Sequence, residues 1–154
     1  MLECQLDDMT GEHLGHVLEQ LVAKKGVLDV YYTPVHMKKN RPAVLLSTLV
    51  TADSVTEIED YLLLFTSTFG IRKREVNRTI LDRKIITYLS PFGKIDIKVG
   101  FKQGKIIKAV PEYECVKKQA LETNIPFHQV YSTVQTYCLD IIAGKVSIDH
   151  VNTK

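Results

Sequence analysis

No GxxxxGK[ST] loop, no GxSxG elbow and no HExxH helix occurs in these 154 residues. That excludes the P-loop, α/β-hydrolase and zincin templates. Cysteine is scarce as well. Cys4, Cys115 and Cys138 stand far apart, with no CxxC pair and no Cys/His spacing typical of zinc. This excludes a disulfide framework and points to buried thiols in a reducing compartment. No run approaches the roughly 18 to 20 apolar residues of a membrane span, and no signal peptide precedes the first strand pattern. The expected location is the cytoplasm, with no membrane partner. Charge of one sign is lacking too: 20 Lys and Arg against 18 Asp and Glu leave a net +2. The whole chain is therefore not built as a nucleic-acid binder, and local clusters matter more than the total.

What remains is an ordinary globular composition, 45% hydrophobic and 25% charged, enough for one domain or a small domain with an appendage. Residues 2–6 alternate apolar and polar, as a half-buried strand does. Starting a strand this early suggests the downstream piece of a longer polypeptide. Asp8 or Thr10 can cap a helix carrying Leu14, Val17, Leu18, Leu21 and Val22 on one stripe, closed by Gly26 after two lysines. Residues 28–35 and 43–50 read as strands, the second nearly continuous in apolar character and so central. A second helix carries Val55, Ile58, Leu62 and Phe65 and ends at Gly70. Residues 71–81 read as a long fourth strand with Arg72, Arg74 and Arg78 on one side. The order βαββαβ predicts an α+β, ferredoxin-like sandwich over residues 1–82, with two helices on one face of a four-stranded antiparallel sheet. Residues 83–144 predict a β-hairpin extension with a third short strand, then two helices, Pro111 opening the first. Residues 145–154 read as a frayed tail.

Four segments could carry chemistry. Met37-Lys38-Lys39-Asn40-Arg41-Pro42 is a compact basic loop, and the fixed fork of Arg41 suits phosphate oxygens. An ordinary solvated hairpin loop also accounts for it. Asp7 and Asp8 at a strand-to-helix junction can bind Mg²⁺ or Mn²⁺ through oxygen. Thr10 and Gly11 at the adjacent helix start can offer N–H groups to an anion. Simple capping needs only one of the two aspartates. Arg72 and Arg74 belong to a basic strand face that is either wet or opposite an anion. Glu112 and Glu114 fit the first turn of a helix, with a metal carboxylate as the functional alternative and Tyr113 as a residue that could stack on a base. His13, His16 and His36 read as surface histidines.

The strings Leu6-Asp7-Asp8-Met9-Thr10-Gly11-Glu12, Leu28-Asp29-Val30-Tyr31-Tyr32-Thr33-Pro34-Val35-His36 running on through Met37 to Pro42, Gly70-Ile71-Arg72 and Val110-Pro111-Glu112-Tyr113-Glu114 together resemble the C-terminal region of the nickel insertion proteins that complete the nickel-pincer nucleotide cofactor of lactate racemase. The resemblance covers about residues 2–143. It implies a nickel chelatase or cyclometallase of the lyase class, acting on pyridinium-3,5-bisthiocarboxylic acid mononucleotide and forming a carbon–nickel bond. It further implies dependence on CTP with Mg²⁺ or Mn²⁺, Ni²⁺ as the inserted metal, and a larger N-terminal region as partner. On that footing Lys38, Lys39, Asn40, Arg41, Arg72, Arg74, Thr10, Gly11 and Tyr113 are the nucleotide candidates. Asp7, Asp8, Glu112 and Glu114 are the metal candidates, and no catalytic residue is assigned. Soft nickel ligands available here are Cys4, His13, His16 and His36.

Two other readings use the same fold. A regulatory or self-associating module would use the sheet face left uncovered, and a homo-oligomer is expected on that ground. An RNA-binding module needs aromatics on its strands for stacking, and Leu-Glu-Cys-Gln-Leu has none. If the βαββαβ order holds, Asp7, the basic loop and Arg72 share one sheet edge. Asp7 and the loop would then lie about two strand spacings apart, on the order of 10 Å.

Overall fold

The structure, a computed structural model, describes residues 1–148. The chain forms two compact units, Met1–Arg78 and Thr79–Lys154. The first runs β1 (Leu2–Leu6), α1 (Gly11–Ala23), β2 (Val27–Met37), β3 (Arg41–Val50), α2 (Val55–Phe65) and β4 (Arg72–Lys73). Its sheet has the order β2-β3-β1-β4, every neighbour antiparallel. This is the ferredoxin-like order that the βαββαβ pattern predicts.

Alternation along β1 sends Leu2, Cys4 and Leu6 into the core and turns Glu3 and Gln5 to the other face. The core residues meet Leu46 and Val50 of β3, Val17 and Leu21 of α1, and Ile58 and Leu62 of α2. Thr10 caps α1: its Oγ1 accepts from the His13 N–H at 3.3 Å. The turn after α1 needs Gly26. Its φ is +82°, and a Cβ there would lie 1.9 Å from Ser54 Oγ.

Several boundaries differ from the sequence expectation. Both strands of the β2–β3 hairpin are longer than expected, so Met37, Arg41 and Pro42 are ladder residues, and the basic loop shrinks to a 3₁₀ turn at Lys38–Asn40. Val22 and Phe65 are 62% and 54% exposed, so the apolar stripes end before them. Phe65 stacks on Tyr61 instead, at a 4.7 Å centroid separation. Thr66, not Gly70, closes α2, its hydroxyl donating to the Leu62 carbonyl at 2.6 Å.

The largest correction concerns β4. The expected strand over 71–81 is only Arg72–Lys73, paired with Glu3 and Leu2. Arg74 and Met1 exchange two further backbone bonds, at 3.1 and 2.8 Å. Arg78 lies outside the sheet, and the three-arginine face is reduced to Arg72 and Arg74.

The second unit is a meander, β5 (Asp82–Ser90), β6 (Gly93–Lys102) and β7 (Lys105–Pro111), followed by α3 (Tyr113–Thr123) and α4 (Phe127–Ile142). Ile95, Ile97 and Val99 alternate inward from β6 and are fully buried with Ile86, Val116, Val130, Val134 and Cys138. Tyr88 of β5 stacks on Tyr137 of α4, ring centroids 3.7 Å apart and planes 11° from parallel. Pro111 is the last residue of β7, opposite Ile97, rather than the first of a helix. Its ring lacks an N–H, which a strand end tolerates. Glu112 is the residue before α3 and makes no side-chain cap bond. Val146 and Ile148 pack on this core, so the tail is ordered that far; the rest of the expected frayed tail, 149–154, lies outside the described residues. No described helix is long and apolar enough to cross a membrane.

Candidate functional site

Asp7 directly follows β1, and the strand's alternation places it on the face of Glu3 and Gln5, away from the helices. Arg41 opens β3, the immediate neighbour of β1. Its Nη1 donates to Asp7 Oδ2 at 3.1 Å. The basic hairpin and the aspartate turn therefore meet in direct contact. The expected gap of two strand spacings is corrected to one, because Arg41 belongs to the strand and not to the loop.

Two more guanidinium groups lie along the same face of β1. Arg72 Nη2 donates to Gln5 Oε1 at 3.0 Å, and Arg74 Nη2 to Glu3 Oε1 at 2.9 Å. Glu3, Gln5 and Asp7 thus each hold one arginine. An open cavity of about 380 Å³ lies here, lined by Glu3, Gln5, Met37, Thr68, Gly70 and Arg72 among others. The side chains of Arg41 and Arg74 are 58% and 62% exposed. Each guanidinium has five donors, so each keeps several for an incoming anion.

The remaining candidates of this unit are placed less uniformly. Lys38, Lys39 and Asn40 form the exposed hairpin tip, and among the described residues neither lysine has an ion-pair partner. Lys39 and Asn40 both adopt positive φ, 62° and 55°. Asp8 does not join Asp7: its Oδ1 accepts from Ser67 on the loop after α2. The Thr10 hydroxyl is engaged as the helix cap. Gly11 opens α1 with nothing near the position of a Cβ.

Glu112, Tyr113 and Glu114 belong to the second unit. Glu112 pairs with Lys98 at 2.6 Å, and Glu114 with Lys117 at 3.4 Å. Tyr113 is 57% exposed, tilted against Phe127 at 5.5 Å, with Lys117 Nζ 5.7 Å from its ring centre. Tyr113, Lys117, Leu121, Pro126 and Phe127 border an open groove of about 470 Å³. Sequence reasoning missed Lys117 and Phe127, and it missed Glu3, Gln5 and Ser67 in the first unit. Glu3 and Gln5 were visible as the polar positions of β1; Ser67 carried no signal.

Among the described residues no group of three or more His, Cys, Asp or Glu is arranged to hold a metal ion. His13, His16 and His36 are exposed. Cys4 is 1% exposed. Burial pushes its thiol up to about 11, and a hydrogen bond with Thr68 offsets this only in part. Without a metal the thiol therefore stays protonated near neutral pH. Asp7 and Asp8 face different partners, Arg41 and Ser67, so they form no protein-only cage; a lone carboxylate serves only an ion that completes its shell with phosphate oxygens and water, as Mg²⁺ does.

Comparison with known proteins places the chain in a family. The profile of the family described as nickel insertion protein matches residues 1–131. A pyridinium-3,5-bisthiocarboxylic acid mononucleotide nickel insertion protein of Geobacillus kaustophilus is 48% identical over 132 residues, 86% of this chain and 32% of that protein. One from Staphylococcus saprophyticus is 44% identical over 135 residues, 88% of this chain and 34% of the relative. The chain thus spans about a third of the length of these curated relatives. Among solved structures, the apo C-terminal domain of a cyclometallase involved in the synthesis of the NPN cofactor of lactate racemase superposes with a TM-score of 0.83. It is 37% identical, and the match covers 90% of this chain and 94% of that one. A protein of Methanopyrus kandleri, 22% identical with a TM-score of 0.61 over 99% and 92% of the two chains, shares the fold alone. By the extent of the profile match and the identity to its curated members, the chain belongs to the nickel insertion protein family.

Proposed function

We propose that this chain is the CTP- and divalent-metal-binding C-terminal portion of a cytoplasmic nickel insertase. The enzyme would install Ni²⁺, its substrate metal, into pyridinium-3,5-bisthiocarboxylic acid mononucleotide to complete the pincer cofactor. It would be a cyclometallase of the lyase class, needing the N-terminal region and working as a homo-oligomer. One observation carries the nucleotide reading: the Arg41–Asp7 contact, which joins the cationic hairpin to the acidic turn on the open face of β1.

In this reading Arg41, Lys38 and Lys39 take triphosphate oxygens, with Asn40 at the same tip and Arg72 and Arg74 further along β1. Asp7 and Asp8 are the first-choice carboxylates for Mg²⁺ or Mn²⁺. The ion, when bound, supplies charge neutralisation for the triphosphate. Thr10 keeps its capping duty, and the N–H groups it leaves free near Gly11 favour negative charge. Tyr113, with Glu112 and Glu114 beside it, offers a ring face for a base. The substrate's own thiocarboxylates are the soft donors that nickel takes.

Thermal unfolding with CTP plus Mn²⁺, set against ATP, GTP and UTP, tests the proposal. A ligand at a hundred times its Kd stabilises the native state by about 2.7 kcal/mol, so CTP should raise the midpoint and the other nucleotides should raise it less. Arg41→Ala should remove most of that gain. No stabilisation by any nucleotide would sink the reading. Intact nucleotide binding in Lys38→Ala and Arg41→Ala, with an altered oligomer size, would favour a regulatory module instead.

A further inference from the structure

We infer that the second unit carries a separate binding site for a phosphate monoester, on the helix-free face of its sheet where Arg83, Lys98 and Lys108 surround Gly100. The strand register builds this cluster. Arg83 lies opposite Gly100 on β5, and Lys108 lies opposite Gly100 on β7. Lys98 precedes Gly100 by two residues on β6 and so shares its face. That face is the one opposite Ile97 and Val99, which are buried against the helices. Three cations from three adjacent strands therefore stand around one residue with no side chain.

The missing side chain matters. A cavity of about 220 Å³ opens over Gly100, bordered by Leu81, Arg83, Lys98, Lys108 and Val110. A Cβ at Gly100 would approach Leu81 Cδ1 to 3.0 Å and Lys108 Cβ to 3.5 Å. It would fill the floor of the depression. The β6–β7 register also shifts between Gly100 and Phe101. Such bulges bend a strand and re-aim the neighbouring side chains.

The charges are incompletely paired. Lys98 is held by Glu112 at 2.6 Å. Asp96, further along the same face of β6, accepts from the Thr87 hydroxyl at 2.7 Å. Arg83 and Lys108 are exposed and have no ion-pair partner among the described residues. Two uncompensated cations facing one pocket repel each other, and a dianion between them reverses the sign of that interaction. The Arg fork matches two oxygens of a tetrahedral phosphate and the lysines a third. Confinement to one small pocket fits a single phosphate group rather than a tracked polyanion. The inference stands independently of the nucleotide reading, since it uses none of the residues of the first unit.

Amide NMR of the full chain at constant ionic strength tests it, with ribose 5-phosphate and inorganic phosphate as separate probes. Saturable shifts at Gly100, Arg83 and Lys108 are expected. Tighter binding of ribose 5-phosphate assigns the site to a sugar monoester, and equal binding assigns it to free phosphate. Arg83→Ala and Lys108→Ala remove exposed, unpaired side chains, so both variants should fold. Each should weaken binding about tenfold or more, the scale of a hydrogen bond to a charged group. Arg41→Ala should leave the titration unchanged. The inference is overturned by an absence of saturable shifts at these amides, or by affinity unchanged in the double variant. It is equally overturned if an RNA oligomer lacking a terminal phosphate binds there as well as ribose 5-phosphate does.

Discussion

Two of the three thiols are held protonated by their surroundings. Cys4 and Cys138 are 1% and 0% exposed, and burial pushes both up to about 11 from the ordinary 9.0. Cys115 is only partly buried. Alkylation at mildly alkaline pH should label Cys115 first and reach the other two only as the protein unfolds. The same burial sets a pH dependence. A folded thiol pKa above its unfolded value adds stability that is complete below 9.0 and is lost as pH rises through about 11. The urea midpoint should therefore hold steady up to that lower limit and decline across the window. A steady midpoint throughout would contradict the buried placement. Thr48 makes the opposite case. Its hydroxyl is fully buried opposite Leu2 and has no hydrogen-bond partner among the described residues. Thr48→Val keeps the shape and removes the orphaned oxygen, so it should stabilise the protein by about 1 kcal/mol in urea unfolding. A loss of similar size would mean that the hydroxyl has a partner.

The hairpin between β2 and β3 sets backbone comfort against charge. Lys39 sits at φ 62°, ψ 23°, a left-handed conformation that glycine adopts without penalty. Lys39→Gly should raise stability by about 1 kcal/mol while weakening CTP binding, read by urea unfolding and calorimetry on one sample. If both move together, the turn is not part of an anion site. Most elements here were legible because their periods were clean, as in the alternation from Ile95 to Val99 and the stripe Leu14, Val17, Leu21. What misled was local pattern without knowledge of partners. Residues 71–81 alternate like a strand, but only Arg72 and Lys73 have ladder partners, on β1. Pro111 reads as a helix opener, yet its place opposite Ile97 is fixed by the meander. The candidate site was legible in its charged ends, Asp7 and Arg41, because the topology forces those two strands side by side. Ser67 as the partner of Asp8 was not, since a contact 59 residues apart leaves no local trace.

At the scale of the chain, two cores with no member in common serve two units. The charge is unevenly divided: the first unit has 9 Lys and Arg against 11 Asp and Glu, a net −2, and the second has 11 against 7, a net +4, so no field of one sign spans the chain. The stack of Tyr88 on Tyr137 has a use that follows from composition. The sequence contains seven tyrosines and no tryptophan, so no indole masks the phenol transitions. Two rings 3.7 Å apart and within 11° of parallel couple their excited states. That pair should dominate the near-ultraviolet circular dichroism. Tyr88→Leu should abolish most of this band while the far-ultraviolet spectrum persists, whereas Tyr31→Leu, at an exposed position of the first unit, should change it little. The second unit thereby carries a built-in chromophore, and its melting can be followed in the whole chain without attaching a dye.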